Sequence, residues 1–409
     1  MVVSTENMNF LRRRKKSDDD DLGEETVSRI QKSRKPPNTA FRQQRLKAWQ
    51  PILTPKTVIP FLFLLAAIFA PLGVAIVYYT YNVEKLQIDY SKCATLATDS
   101  YAKVPSKYTN WHFRHKNTDP DFQWRVINGT DADGDRTETC FVKFNLPRDL
   151  KPPIYLYYRL TNFYQNHRKY VDSVDPKQIA GHALDADSLS TNCKPLRLVG
   201  DGSDEKVIYP CGLIANSLFN DTFSSPVLLN SKTGSDNETY VLTSKGISWA
   251  SDRKHQFKKT TYKPEDIVPP PNWAKMFPQG YNLSNIPDLS QWEQLQNWMR
   301  TAGLPTFFKL YLKNTTTTFT LGTYEIQIGL NYPASMYGGT KSLVITTNSV
   351  FGGRNMTLGI VYLIVAIVCL VCAIGFFLQH LIKPRRIGNH NFLQEGGAEQ
   401  APAHFREQL

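Results

Sequence analysis

The stretches VIPFLFLLAAIFAPLGVAIVYY (Val58 to Tyr79) and LGIVYLIVAIVCLVCAIGFFL (Leu358 to Leu378) decide how this chain is organised. Neither contains a charged residue, and each is close to the ~20 residues that a helix needs to cross the hydrocarbon core of a bilayer. Both are expected to span, as helices at 57–79 and 356–382. The first lies too deep in the chain for a cleaved leader and reads as an uncleaved signal anchor. The 409 residues then divide into a disordered tail at 1–37, an interfacial segment at 38–56, an inter-span domain at 80–355 and a second tail at 383–409.

Orientation follows from the basic flanks, because cytoplasmic ends of spans carry the excess of Lys and Arg. Arg42, Arg45, Lys47 and Lys56 precede the first span, and Lys383, Arg385 and Arg386 follow the second. The inner flanks hold only Lys85, Lys92 and Arg354, so both tails are expected in the cytosol and the inter-span domain in the secretory lumen or outside the cell. N-x-[ST] sequons test this independently. They fall at Asn128, Asn220, Asn237, Asn282, Asn314 and Asn355, none of them in a tail; Asn355 abuts the second span and is expected to escape modification. Cys93, Cys140, Cys193 and Cys211 share the same compartment, where oxidation is favoured. Four cysteines allow three connectivities, of which sequential pairing, Cys93 with Cys140 and Cys193 with Cys211, is the expectation. Cys369 and Cys372 lie mid-span and are read as packing residues.

The net charge of +12 does not point to nucleic acid, given this topology. The basic clusters Arg12 to Lys16 and Lys32, Arg34 and Lys35 instead suit an anionic cytosolic leaflet, at about 1 kcal/mol per residue held near it. Asn38 to Pro51, with Phe41, Leu46 and Trp49 among basic residues, reads as a short interfacial segment.

Within the inter-span domain, period-2 alternation marks strands. Tyr324, Ile326, Ile328 and Leu330 share one face; so do Cys140, Val142, Phe144 and Leu146; Ile154, Leu156, Tyr158 and Leu160; and Phe308, Leu310 and Leu312. Strands with one polar face suit an antiparallel sandwich. Asp288 to Arg300 breaks the pattern, with Trp292, Leu295 and Met299 at helical spacing and Asp288 or Ser290 as N-cap.

Catalytic signals are weak. Ser231-Lys232-Thr233-Gly234 has the shape of the D-K-T-G phosphorylation motif of P-type ATPases, but Ser231 stands where the nucleophilic Asp belongs. Gly338 to Ser342 lacks the spacing of a phosphate-binding loop and reads as a turn. Asp131, Asp133 and Asp135 alternate as calcium ligands do, yet Arg136 and Val142 occupy the required Gly and Glu positions. His112 and His115 lack further metal ligands nearby. No catalytic, cofactor or metal residue is assigned. Neither span carries a mid-membrane ionisable residue, and two helices are too few to enclose a transport route. Gly359, Ala366 and Ala373 recur seven apart on the second span, a small-residue face expected to admit a partner helix.

The segments NTAFRQQRLKAWQPILTP (Asn38 to Pro55), NFYQNHRKYV (Asn162 to Val171), YPCGLIANSLFNDTF (Tyr209 to Phe223), DIVPPPNWAK (Asp266 to Lys275) and LNYPASMYGGTKS through VFGGRN (Leu330 to Asn355) closely resemble the cell-cycle control protein 50 / ligand-effect modulator 3 family. The resemblance implies a membrane protein with two transmembrane helices and a jelly-roll-like antiparallel sandwich with a few short helices. It also implies a non-catalytic β-subunit and export chaperone of a type IV P-type ATPase phospholipid flippase, acting at the trans-Golgi network, endosomes or plasma membrane. By the same resemblance Asn38 to Pro51 would lie under the ATPase, and the Asn162 to Val171 and Tyr209 to Phe223 segments would face its lumenal loops. Since aromatic residues and Arg anchor interfaces, Phe41, Arg45, Trp49 and Tyr164 are the candidate contacts. The competing readings are a stand-alone adhesion or receptor glycoprotein and a lumenal glycan- or lipid-modifying enzyme; the second span counts against the enzyme.

Overall fold

The computed structural model describes residues 38–46, 53–114, 118–130, 134, 136–200, 205–229 and 237–384. The tail 1–37, Trp49, His115, Asp131, Asp133 and Asp135, the Ser231 to Gly234 motif, Arg385, Arg386 and the rest of the C-terminal tail lie outside the described residues.

Residues 38–46 belong to the first of two units, Met1–Thr54 and Pro55–Leu409. Thr39 Oγ1 accepts the Arg42 amide at 3.2 Å, as an N-cap does. The turn ends at Gln44, with φ +54°, beyond which the Arg45 amide reaches back to the Ala40 carbonyl at 2.7 Å. That is the 6→1 bond of a Schellman closure. The Arg45 guanidinium donates to Asn38 Oδ1, and Phe41 is 74% exposed.

In the second unit, α1 (Pro55–Tyr81) and α7 (Thr357–Ile382) extend the two apolar runs by a few residues at each end, and Pro60 and Pro71 lie inside a continuous α1. Their side chains are mostly exposed, as helices facing lipid require, and the buried positions of α7 are Gly359, Ala366 and Ala373. These small residues sit on the seam with α1. A Cβ added to Gly359 would stand 2.7 Å from Val77 Cγ2, and one added to Gly73 of α1 would stand 2.9 Å from Leu363 Cγ. Phe69 and Tyr362 meet across the same seam at 5.4 Å. The small-residue face is therefore taken by the chain's own first helix, which corrects the expectation of a docking face for a separate partner. Sequence spacing identified a close helix contact but could not say which helix supplies it.

Between the helices lie two antiparallel sheets. One runs β13 (Phe307–Asn314), β6 (Ile154–Leu160), β15 (Lys341–Thr347), β1 (Lys85–Asp89), β3 (Thr109–His112). The other runs β11 (Glu238–Thr239), β10 (Val227–Leu228), β14 (Gly322–Gly329), β5 (Arg136–Leu146), β4 (Gln123–Thr130), β2 (Ala102–Lys103), with β9 (Thr222–Phe223) added on β14. Leu86, Ile88, Leu156, Leu160, Leu343 and Ile345 of the first sheet share one core with Trp124, Val142, Phe144, Ile326 and Ile328 of the second. A small sheet of β12 (Ile267–Val268), β8 (Lys206–Ile208) and β7 (Leu198–Val199) contains the one parallel pair among the described strands, β8 with β12. Short helices fill the connections: α2 (Cys93–Leu96), α3 (Arg168–Val171), α4 (Pro176–Ile179), α5 (Leu213–Asn216) and α6 (Glu293–Met299).

The alternation expected of β5, β6 and β14 holds residue by residue. It fails on β13, where Phe307 and Lys309 point inward and Phe308 is 48% exposed. A bulge between Leu310 and Leu312 leaves Tyr311 without an opposite residue and switches the face. The buried Lys309 ammonium donates to the carbonyls of Asn297 (2.9 Å) and Arg300, closing the C-terminal end of α6. Burial, then the Arg300 charge, pushes it down to about 8.

Helix α6 starts at Glu293 rather than near Asp288, because Asp288 Oδ1 is occupied by the Ser290 amide at 2.9 Å in a local turn. Glu293 instead collects the amides of Gly246 (2.9 Å) and Ser248 (3.0 Å) and the Arg253 guanidinium (2.9 Å), fastening the 246–253 loop to the helix.

The disulfides are Cys93–Cys140, joining α2 to β5 with Cα atoms 6.2 Å apart, and Cys193–Cys211, with Cα atoms 5.6 Å apart. The second closes a short loop, a constraint of roughly 3 kcal/mol in the chain-entropy account.

Replacing Gly359 by Leu is expected to force the spans apart and cost about 1–3 kcal/mol by overpacking. The thermal midpoint of the full chain in detergent should fall, while Gly375→Leu, where an added Cβ meets nothing within 4 Å, should leave it unchanged. For Glu293, desolvation raises the carboxyl pKa, but its backbone amides and Arg253 outweigh it and hold it below 4.5. A depressed carboxyl stabilises the fold above its unfolded pKa and loses that contribution as pH falls through the folded value. The stability gap between wild type and Glu293→Gln should thus be open at neutral pH and close on acidification below about pH 4.

Candidate functional site

Two of the segments that carried the family resemblance, Tyr209 to Phe223 and Leu330 to Asn355, are far apart in sequence but meet at one buried carboxylate. Asp221 is 1% exposed. Its Oδ1 accepts the amides of Asn331 (2.6 Å) and Tyr332 (2.7 Å). Its Oδ2 accepts the Tyr90 hydroxyl (2.9 Å) and the Lys341 ammonium (2.7 Å). Lys341 also donates to the Tyr332 carbonyl at 2.8 Å, and its Nζ lies 5.4 Å from the centre of the Tyr90 ring. The end of β1, the α5–β9 connection, the β14–β15 connection and the start of β15 are thereby held together by one charge. Burial, reinforced by the Asp221 charge, pushes the Tyr90 hydroxyl well above its usual range, so it remains a donor.

An aromatic shell surrounds this knot. Tyr158 and Phe219 stack at 3.9 Å, and Phe219 meets Tyr332 at 5.1 Å. Phe163 is enclosed by Tyr337 (5.2 Å), Trp298 (5.7 Å) and Tyr170 (5.8 Å). Two indoles cap the carbonyls of short α5: Trp273 donates to Ala215 and Trp298 to Ile214, each at 2.9 Å. Gly212 enters α5 with φ +97°, where a Cβ would stand 2.1 Å from the Ser173 carbonyl, so only glycine fits.

With Phe163 held inward, its neighbour Tyr164 projects out and is 57% exposed. Asn162 donates to the Tyr337 carbonyl (2.6 Å) and Asn166 to the Gly303 carbonyl (3.1 Å), which brings three loops side by side. Leu304 (70%) and Met336 (83%) are exposed on those loops, a surface that single-sequence patterning did not mark.

Of the sequons, Asn128, Asn237 and Asn282 are exposed, while Asn220 and Asn314 are half-buried. Asn282 Oδ1 accepts the Ser284 hydroxyl at 2.7 Å. The Asn314 amide donates to the Val241 carbonyl (2.8 Å) and to Thr317 Oγ1 (2.7 Å), and Asn220 Oδ1 is buried without a hydrogen-bond partner. Among the described residues no group of three or more His, Cys, Asp or Glu is placed to hold a metal ion.

These features define a two-span membrane protein whose inter-span domain is built around a polar knot. Residues 76–386 match the family model described as the LEM3 (ligand-effect modulator 3) family / CDC50 family, and the chain belongs to that family. It is 49% identical over 366 residues to the phospholipid-transporting ATPase accessory subunit CRF1 of Saccharomyces cerevisiae, covering 89% of each chain. It is 43% identical to the accessory subunit CDC50 of Chaetomium thermophilum, over 88% of this chain and 90% of that one. Similarity extends to animals, with 36% identity to cell cycle control protein 50A of Bos taurus over 81% of this chain and 85% of that one.

Removing one member of a buried ion pair strands the other, at about 3–5 kcal/mol, whereas replacing both by apolar residues is far less costly. Asp221→Ala and Lys341→Ala should each lower the unfolding free energy of the full chain by that order, read as a fall in its denaturation midpoint. The double variant Asp221→Leu with Lys341→Met should recover a large part of the loss.

Proposed function

We propose that this chain is the non-catalytic accessory subunit of a type IV P-type ATPase phospholipid flippase, required for the complex to leave the endoplasmic reticulum and for its stability and activity. The observation that carries this reading is the similarity, over 88–89% of the chain, to accessory subunits of phospholipid-transporting ATPases, together with a β-rich domain whose central carboxylate is engaged in structural bonds. The nucleotide site and the phosphorylated Asp then belong to the partner. The basic flanks outside the spans support cytosolic tails, and the sequons between them support a lumenal domain. Asn128, Asn237 and Asn282 are the best exposed carriers of N-glycans. The working compartment is the secretory and endocytic system, from the trans-Golgi network to endosomes and the plasma membrane.

Phe41, Arg45 and Trp49 on the cytosolic side and Tyr164 on the lumenal side are the proposed contacts with the ATPase, and Leu304 and Met336 extend the Tyr164 surface. Exposed aromatic side chains on a rigid base suit this role, since little ordering entropy is lost when they dock. Pull-down of the tagged chain from its native membranes in mild detergent should recover a large P-type ATPase in near-equal amount, with lipid-dependent ATP hydrolysis. Recovery of the chain alone and monodisperse would refute the assignment. Tyr164→Ala should cut recovery of the ATPase by about tenfold or more if Tyr164 anchors the interface, with the thermal midpoint of the isolated chain unchanged.

A further inference from the structure

A cavity of about 460 Å³ lies on the outer face of the five-stranded sheet, at the root of both spans. Its floor is Tyr157 of β6 with Val344 and Thr346 of β15, and its apolar walls are Phe308 and Phe351. Val344 and Thr346 are only 2% and 7% exposed although they point away from the sandwich core, so this face of the sheet is already largely shielded. Phe308 and Phe351 are each 48% exposed and free to meet a ligand.

The position relative to the bilayer is fixed by chain connectivity. Lys85 follows the last residue of α1, Tyr81, by four positions, and Arg354 and Asn355 immediately precede Met356 and α7. Phe351 packs 5.9 Å from Tyr79 in the last turn of α1. The cavity therefore opens at headgroup depth, with aromatic residues of the kind that settle there.

Two cations, Lys85 and Arg354, line it, and a third, Arg159, stands beside its Phe308 wall. Lys85 Nζ lies 6.0 Å and Arg159 Cζ 5.9 Å from the centre of the same Phe308 ring, and Arg354 lines the rim. The ion pairs among the described residues involve none of these three. Desolvation by burial, then the charges of Arg159 and Arg354, lowers the Lys85 pKa. An apolar pocket rimmed by unmatched cations calls for an anionic ligand with an apolar body.

We infer that this cavity binds an anionic phospholipid of the leaflet on the β-domain side, with its phosphate between Lys85, Arg159 and Arg354 and its glycerol and upper acyl carbons against Phe308, Phe351 and Val344. The site lies entirely within this chain and does not depend on the ATPase assignment. It depends on the two helices crossing a bilayer.

The test is photo-crosslinking of the full chain in nanodiscs containing a phosphatidylserine whose acyl chain bears a diazirine, with the labelled peptides mapped by mass spectrometry. Label is expected on peptides containing Phe308, Val344 or Phe351. It should fall about tenfold or more in the K85Q/R354Q variant, as loss of two headgroup-level cations predicts. Arg354→Glu alone, at an exposed loop position, should lose at least about fivefold and serves as a second variant that leaves the sheet untouched. Matching thermal midpoints show that each variant is folded. Equal labelling by the corresponding phosphatidylcholine, or undiminished labelling in both variants, would overturn the inference. Displacement of the label by inorganic phosphate would assign the cations to a free anion and overturn it as well.

Discussion

The fold depends first on one fully buried carboxylate. A charge withdrawn from water is tolerated only when its lone pairs are filled, and Asp221 fills them with two backbone amides, a phenol and an ammonium. The donors come from three places in the chain, Tyr90, the Asn331–Tyr332 pair and Lys341, so the bonds specify an arrangement as much as they stabilise one. The stacked Tyr158 and Phe219 and the enclosed Phe163 then exclude water from this centre. Exposed Tyr164, Leu304 and Met336 are presented on loops whose inner neighbours cannot move without disturbing that packing.

What could be read from the chain tracks how local each interaction is. The spans are legible because a bilayer imposes length and apolarity on consecutive residues. β5, β6 and β14 are legible because each has one dry and one wet face. The inversion on β13 is not, since a bulge adds one residue without changing composition, and it turned Lys309 inward and Phe308 outward. Asp288 is a plausible cap by type, but its carboxylate serves a turn formed earlier in the chain. Asp221 was hidden for a different reason: as the middle residue of the Asn220 sequon it reads as surface, and Lys341 reads as part of a turn after Gly338 and Gly339. Their attraction is visible only when residues 120 positions apart are brought to 2.7 Å. The seam between the spans shows the same limit. Gly359, Ala366 and Ala373 announce a close neighbour, and only the three-dimensional arrangement names α1 as that neighbour.

A subunit that performs no chemistry has different structural needs from an enzyme. It requires interaction surfaces held in fixed positions, and the bonding of this domain is directed to that end. The spans are locked by close approach at Gly73 and Gly359, and the junction above them is locked by Glu84, which is buried, accepts the Arg114 amide at 2.9 Å and pairs with Arg148 at 3.2 Å. The β domain is therefore not suspended on flexible stalks. Its orientation is coupled to the helices below it.

That coupling has a consequence for how the protein is made. β1 begins just after α1, and β15 ends just before α7, yet the two strands lie side by side, with the Glu84 amide bonded to Thr347 across 263 residues of chain. β15 also separates β1 from β6, so the first sheet has a gap at its centre until β15 arrives. At ribosomal speeds of ~5–20 residues per second, that gap stays open for tens of seconds after β1 emerges. Through this interval β1 and β6 present unpaired edges, the feature that quality-control chaperones recognise and that aggregation exploits. Completion of the sheet and arrival of the second span are consequently close in time, and the nascent domain must be shielded until β15 has emerged.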